Sequence, residues 1–225
     1  MHWLSRKRYK VAFLIPSLLV YTLFIVVPIF VGIGYSFTKY TGIGKAKFNG
    51  LSNYQRLVHD KLFWSSLTNT LVIFVVASVM LLVLSFALAL LLNSKLKFSD
   101  TSKALIFSPA IIAPIIVGII WVYILDPKIG LINSLLHAAG LDSFRHQWIG
   151  GTVLTPYSTA IIFFWQQLGY LTTIFIAGLK MIPEEIIEAA RVDGASAWKR
   201  TICITIPMMR STISTVVVLI ITGIF

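Results

Sequence analysis

The chain has 225 residues, 57% of them hydrophobic and only 12% charged, with a mean hydropathy of +0.88. Soluble domains carry about 25% charged residues, so a water-soluble globule is excluded, as is a disordered chain, which needs low hydrophobicity. The net charge of +11 would point to nucleic acid in a soluble protein, but in a membrane protein it reports basic residues on the cytosolic face. A single cysteine, Cys203, excludes an internal disulfide and a cysteine-built metal site.

A bilayer core of about 30 Å takes roughly 20 apolar residues in a helix. Four runs free of Asp, Glu, Lys and Arg are long enough: Val11 to Thr38, Leu62 to Ser94, Ala104 to Leu125 and His146 to Leu179. They predict spans over residues 11–37, 63–92, 104–125 and 152–179, the last delayed by Gly150-Gly151 and Pro156. A fifth run, Ser211 to Phe225, has 15 residues. At 1.5 Å per residue it reaches about 22 Å, short of a full crossing.

Arg6, Lys7, Arg8 and Lys10 precede the first run as in a signal peptide. A signal's apolar region is about 7–15 residues, and this run is nearly twice that, so it is read as a span. Segments 1–10, 93–103 and 180–210 hold twelve basic residues against seven in 38–62 and 126–151. The positive-inside rule then puts the N-terminus and the loop 180–210 in the cytosol. Pro16, Pro28, Pro109 and Pro114 fall inside the runs and predict kinks, because neighbouring helices can satisfy the freed carbonyls. There is no internal repeat and no Pro/Gly/Ser-rich linker, so residues 1–225 read as one membrane domain.

The familiar reactive motifs are missing. None of the eight carboxylates lies inside an apolar run, which argues against an ion-coupled carrier, since such carriers place ionisable groups at membrane depth. Gly42-Ile43-Gly44-Lys45-Ala46 lacks the spacing and hydroxyl of a nucleotide-binding loop. His2, His59, His137 and His146 are scattered, with no zinc-binding H-E-x-x-H pattern. Gly194-Ala195-Ser196-Ala197 lacks the final glycine of a nucleophile elbow. The chain reads as neither an enzyme nor a self-powered pump.

The informative stretch runs from Lys180 to Gly194. Pro183 suits the first position of a helix, Glu184 and Glu185 favour its positive end, and Gly194 suits its left-handed terminus. Ile182, Ile186, Ala189 and Ala190 form an apolar face, with Glu184, Glu188 and Arg191 on another. Ser196 can cap a second helix running through Trp198 toward Pro207. By itself this segment fits either a loop on the lipid headgroups, aided by Lys199 and Arg200, or a dock for a cytosolic partner.

Glu188-Ala189-Ala190, three residues, Gly194, nine residues, then Ile204-Thr205-Ile206-Pro207 resembles the E-A-A loop of permease subunits of binding-protein-dependent ABC importers. Ile206 replaces the usual leucine at nearly constant volume. Phe13-Leu14-Ile15-Pro16, Ser36-Phe37-Thr38, Phe48 to Tyr54, Asn69-Thr70, Gly130 to Asn133 and Gly178 to Glu185 are similar, in order, to carbohydrate-type members. The resemblance implies an all-α polytopic helical bundle in the bacterial inner membrane. It implies as partners a second permease, two cytosolic ATPase subunits carrying ATP and Mg, and an external solute-binding protein, with lipid around them and no cofactor on this chain. It assigns ATPase coupling to Glu188, Ala189, Ala190 and Gly194, supported by Asp193 and Pro207.

For the solute path the candidates are Trp165, Gln166, Gln167 and Tyr170, since amides and aromatic surfaces suit a sugar and glutamines are costly against lipid. The favoured alternative is that the glutamines bridge neighbouring helices. Asn69 and Asn93, near the ends of the second run, are expected at an interface. Related permeases complete the fifth span and return in a sixth, so the expectation is a chain truncated in its fifth span, lacking about 60–70 residues. The rival readings are an ion-coupled secondary carrier and a non-transporting scaffold that recruits a cytosolic protein.

Overall fold

The computed structural model describes residues 7–93 and 99–225, with side chains from Val11 to Asn93 and from Ala104 onward. Arg6, Lys95 and Lys97, on which the expected orientation partly rests, lie outside the described residues. The chain divides into two compact units, Met1–Ser66 and Leu67–Phe225.

The first unit opens with α1 (Lys7–Tyr21), a π turn over Thr22–Val26, and α2 (Val27–Ser36). The Val27 N–H donates to Thr22 O, five residues back, one residue before Pro28. A proline has no N–H, and its ring meets the carbonyl four residues earlier; the widened turn absorbs that mismatch without ending the helix. No residue of Val11–Ser36 is buried within the chain, as suits a helix apolar on all sides.

Beyond it, β1 (Thr38–Lys39) pairs antiparallel with β2 (Lys47–Phe48), Thr38 opposite Phe48. The Asn53 amide, on α3 (Ser52–His59), donates to the carbonyls of Ser36 and Thr38, 2.8 Å each. Tyr54 Oη and Ser36 Oγ lie 2.6 Å apart. The segment Phe48 to Tyr54 thus fastens the end of the first span to the hairpin after it.

The second unit contains most of α4 (Lys61–Asn93), then α5 (Ser99–Ile111), α6 (Pro114–Leu125), α7 (Leu131–Ala138) and α8 (Thr155–Lys180). It continues with α9 (Glu184–Val192), α10 (Ala197–Arg200), a π turn Thr201–Thr205, α11 (Ile206–Met208) and α12 (Arg210–Ile224). Among the described residues three helices are long and apolar enough to cross a membrane, Val11–Ser36, Lys61–Asn93 and Thr155–Lys180, and two bent pairs bring the total to five if each counts as one span.

One bent pair falls on the expected third span, 104–125: α5 and α6 meet at 102°, with the break just before Pro114. Ala113 sits extended, at φ −57° and ψ 134°, because the ring of Pro114 bars the residue before it from the helical region. The other pair, Ala197–Met208 and Arg210–Ile224, bends by 72° at Met209. The fourth span begins at Thr155, three residues later than expected.

The core gathers Leu81 and Ala89 of α4, Leu171 and Phe175 of α8, Met209, and Val216 of α12. Lipid is as apolar as these side chains, so close van der Waals fit, more than water exclusion, holds such helices together. Small residues mark the contacts: Ala77, Ser85 and Ala89 alternate with the larger Leu81 every four residues along the buried stripe of α4. Gly169 is where α5 crosses α8, and a Cβ there would overlap the Ile106 carbonyl. At Gly178 a Cβ would meet the Thr212 side chain of α12.

Between α6 and α8 a polar knot orders the connection. Buried Asn133 donates to the carbonyls of Pro127, 3.0 Å, and His146, 2.9 Å, while its Oδ1 accepts from Trp148 Nε1 at 2.9 Å. Asp126 Oδ1 accepts the N–H groups of Lys128 and Ile129, which hold its carboxyl below the usual range.

Candidate functional site

The loop after α8 is built as two helices joined by a sharp turn. Pro183 is the N-cap of α9, not its first helical residue, and Glu184 and Glu185 fill the first turn. The C-terminus closes with Ala195 N–H donating to Ala190 O, 2.9 Å, and Gly194 N–H to Arg191 O, 3.1 Å. This paired closure requires a left-handed residue between the two strides, and Gly194 has φ +76°.

Ser196 Oγ then accepts the Lys199 N–H at 3.3 Å and caps α10, as its residue type predicts. Arg200 Nη1 donates to Ala195 O and ties the turn to the second helix. The π turn closes with Ile206 N–H on Thr201 O, again one residue before a proline, Pro207.

The helix faces differ from the expected division. Ala190 is buried and Ile182 half-buried, but Ile186 and Ala189 point outward with Val192, which is 86% exposed. The charged residues Glu184, Glu188 and Arg191 instead line a cleft of about 580 Å³ with Asn93, Lys180 and Thr205. That charged flank shares the cleft with Leu90 and Asn93 at the end of α4, while Ile186, Ala189 and Val192 are left at the surface. Glu188, Ala189, Asp193, Gly194 and Pro207 are all exposed, so among the candidates for coupling only Ala190 is buried.

The four residues proposed for the pathway separate around α8. Gln166 is buried and donates from Nε2 to Ile112 O at 3.1 Å, at the break between α5 and α6. Trp165 packs edge-on against Trp121 of α6, ring centroids 5.5 Å apart. Gln167 and Tyr170 line a cavity of about 210 Å³ against α12, together with Phe163, Thr222 and Gly223. Phe163 and Thr222 escaped the sequence reading. The signal for Phe163 was present, since residues 163, 167 and 170 follow i, i+4, i+7 spacing on one helix face. Asn93 is exposed at the cleft, whereas Asn69 is half-buried within α4.

Residues 82–225 match the family model described as the binding-protein-dependent transport system inner membrane component. YurN of Bacillus subtilis strain 168, a protein named as a probable ABC transporter permease, is 34% identical over 95% of this chain and 74% of its own length. The chain belongs to this permease family. AmyD of Thermoanaerobacterium thermosulfurigenes, named as a probable permease for starch degradation products, is 30% identical over 88% of this chain and 66% of its own. The fold agrees with a solved bacterial ABC transporter involved in alginate import, at TM-score 0.79 and 24% identity, over 98% of this chain and 74% of that one.

As a permease of this kind the chain is a multi-pass inner-membrane component. It is not the catalytic part of its importer, because the ATPase is a separate subunit. The binding-protein-dependent system also implies a solute-binding protein as partner.

Proposed function

We propose that this permease lines the path of a sugar or related solute and couples to a cytosolic ATPase through the loop 180–210. The N-terminus would then lie in the cytosol, and a second permease would complete the pathway. The observation that carries the coupling is the turn at Gly194, φ +76°, which closes α9, together with the exposure of Ile186, Ala189 and Val192 along that helix. An apolar strip bordered by Glu185 and Asp193 has no reason to face water unless a protein covers it. Ala189 leaves room for close approach, and Glu188 stands beside it at the mouth of the cleft. ATP and Mg are held on the ATPase in this reading, and closure of that partner would shift the permease between inward- and outward-facing states.

The cavity between α8 and α12 supports the pathway reading. It pairs an amide, Gln167, and a hydroxyl, Thr222, with the rings of Phe163 and Tyr170. Few polar groups set against aromatic faces are what a neutral sugar needs. AmyD, named for starch degradation products, supports a carbohydrate as the solute class.

The test is co-purification of the tagged permease from its native membranes, followed by ATP hydrolysis and labelled-sugar uptake after reconstitution. Ala189→Arg should strip the hydrolysing activity from the purified complex while the permease still inserts. Unchanged activity on the mutant would remove α9 from the interface.

A further inference from the structure

The break between α5 and α6 leaves backbone groups without the partners a continuous helix would supply. Gln166, whose amide reaches Ile112 O there, stands 11 residues after the start of α8 and 14 before its end. At 1.5 Å per residue those are about 17 and 21 Å, so the break lies near the middle of an apolar core about 30 Å thick. The Ala110 carbonyl would take the N–H four residues ahead, but that residue is Pro114, which has none. The N–H of Ala113, the extended residue between the two helices, has no hydrogen-bond partner among the described residues. Ala113, Pro114 and Ile115 are all exposed. Gln166 therefore serves one side of the break, and the other side opens outward.

Two requirements narrow what covers that side. Hydrocarbon offers no donor or acceptor, so irregular backbone at membrane depth is tolerated only against protein or beside water. Water would meet the backbone but not the side chains around it. Ile111 is 83% exposed and Ile115 75%. Ile115, Gly118, Ile119 and Val122, at i, i+3, i+4 and i+7, continue an exposed apolar stripe along α6. Such a stripe resists wetting. A protein helix that is apolar along its length and polar at one level satisfies both demands. Gly118 gives it access: no atom of this chain lies within 4 Å of the place its Cβ would take, and membrane helices approach closest at small residues.

We infer that the outer side of this break, with the stripe from Ile115 to Val122, is the surface on which the second permease packs. The contact is a membrane helix bearing an amide or hydroxyl side chain at the level of Ala113, doing from outside what Gln166 does for Ile112 from within. One polar contact in an apolar interface also fixes the height at which the two chains meet, since a slip leaves both groups unpaired in hydrocarbon. The inference rests on the proposed reading that a second permease completes the pathway.

The test places the photocrosslinker p-benzoylphenylalanine at position 115 of the tagged full chain in its native membranes. The expected adduct is with a second chain that sequencing shows to be of the same permease family, joined within an apolar run beside a Ser, Thr, Asn or Gln. Gly118→Leu, which adds a lipid-compatible side chain on the open side, should leave the melting of the isolated permease unchanged. It should lower recovery of the second chain about tenfold or more, as overpacking at a contact does. Peptides containing Ala113 should exchange slowly with heavy water in the complex and faster in that variant. A second permease that co-purifies but forms no adduct, or an adduct confined to lipid or to the same chain, overturns the surface alone. Ready labelling of Ile115→Cys by an aqueous maleimide in the intact complex shows a wetted face and overturns it as well. If no second permease accompanies the tagged chain, the reading beneath the inference falls with it.

Discussion

Gln166 donates its side-chain amide to the backbone carbonyl of Ile112, 3.1 Å away, where the helix pair α5–α6 bends by 102°. A break in a membrane helix frees carbonyls that lipid cannot satisfy, and a neighbouring side chain is one of the few remedies. Its neighbour Gln167 turns instead toward α12 and the cavity there. One residue of separation on a helix turns a side chain by about 100° and separates two roles.

That division is measurable. Gln166→Leu should lower thermal stability in detergent by about 0.6–1.7 kcal/mol, the range for helix-to-helix hydrogen bonds in membranes. Gln167→Leu should leave stability unchanged and reduce sugar uptake in the reconstituted importer. The reverse pattern would exchange their roles.

Gly169 admits no side chain, because a Cβ would overlap the Ile106 carbonyl of α5. Gly169→Ala should therefore force α5 from α8 and cost about 1–3 kcal/mol, as overpacking does. Gly118 has open space around the same atom, and Gly118→Ala should be neutral in the same unfolding assay.

Gly194→Val tests the coupling turn without touching the core. A β-branched residue at φ +76° costs at least about 1–2 kcal/mol locally. The expected outcome is normal insertion and near-normal melting, with substrate-stimulated ATP hydrolysis lost from the reconstituted complex. Normal stimulation in the mutant would detach Gly194 from coupling.

Acid should loosen the connection between α7 and α8. Asp142 accepts from His137, 2.8 Å, and from Arg145, 3.0 Å, and both hold its carboxyl below the usual range. With its folded pKa depressed, Asp142 contributes stabilisation above the unfolded carboxylate range, and this is lost as pH falls through the lowered folded value. Limited acid proteolysis should cut residues 139–147 more readily in that window. Asp142→Asn should be cut at neutral pH already and lose most of the acid dependence.

Much of the site was legible because it rests on local chemistry. Gly194 is the residue a left-handed turn demands, Ser196 is the residue an N-cap demands, and their structure follows from backbone geometry within a few positions. The division of α9 into faces was not legible. Ile186 and Ala189 share a stripe with Ile182 and Ala190 in sequence, yet the first two are exposed while Ala190 is buried and Ile182 half-buried, a division set by what packs against α9 and not by its own pattern.

The length, hydropathy and charge with which the chain begins determine by themselves that it is a helical membrane protein, since lipid allows no unpaired backbone and helices satisfy their own. The spaced E-A-A pattern likewise marks its family. Only tertiary structure decided which uniformly apolar faces pack. In water an amphipathic stripe announces the buried side, but these helices are apolar all round, and contact is set by small residues and by partners distant in sequence. Ser85 and Ala89 against the core, Gly169 beneath Ile106, and Gln166 at the bend of α5–α6 are decided there. The same holds for the 102° break: Pro114 predicts a kink, but its size, and the amide of Gln166 that donates to the Ile112 carbonyl 54 positions away, are seen only in the tertiary structure.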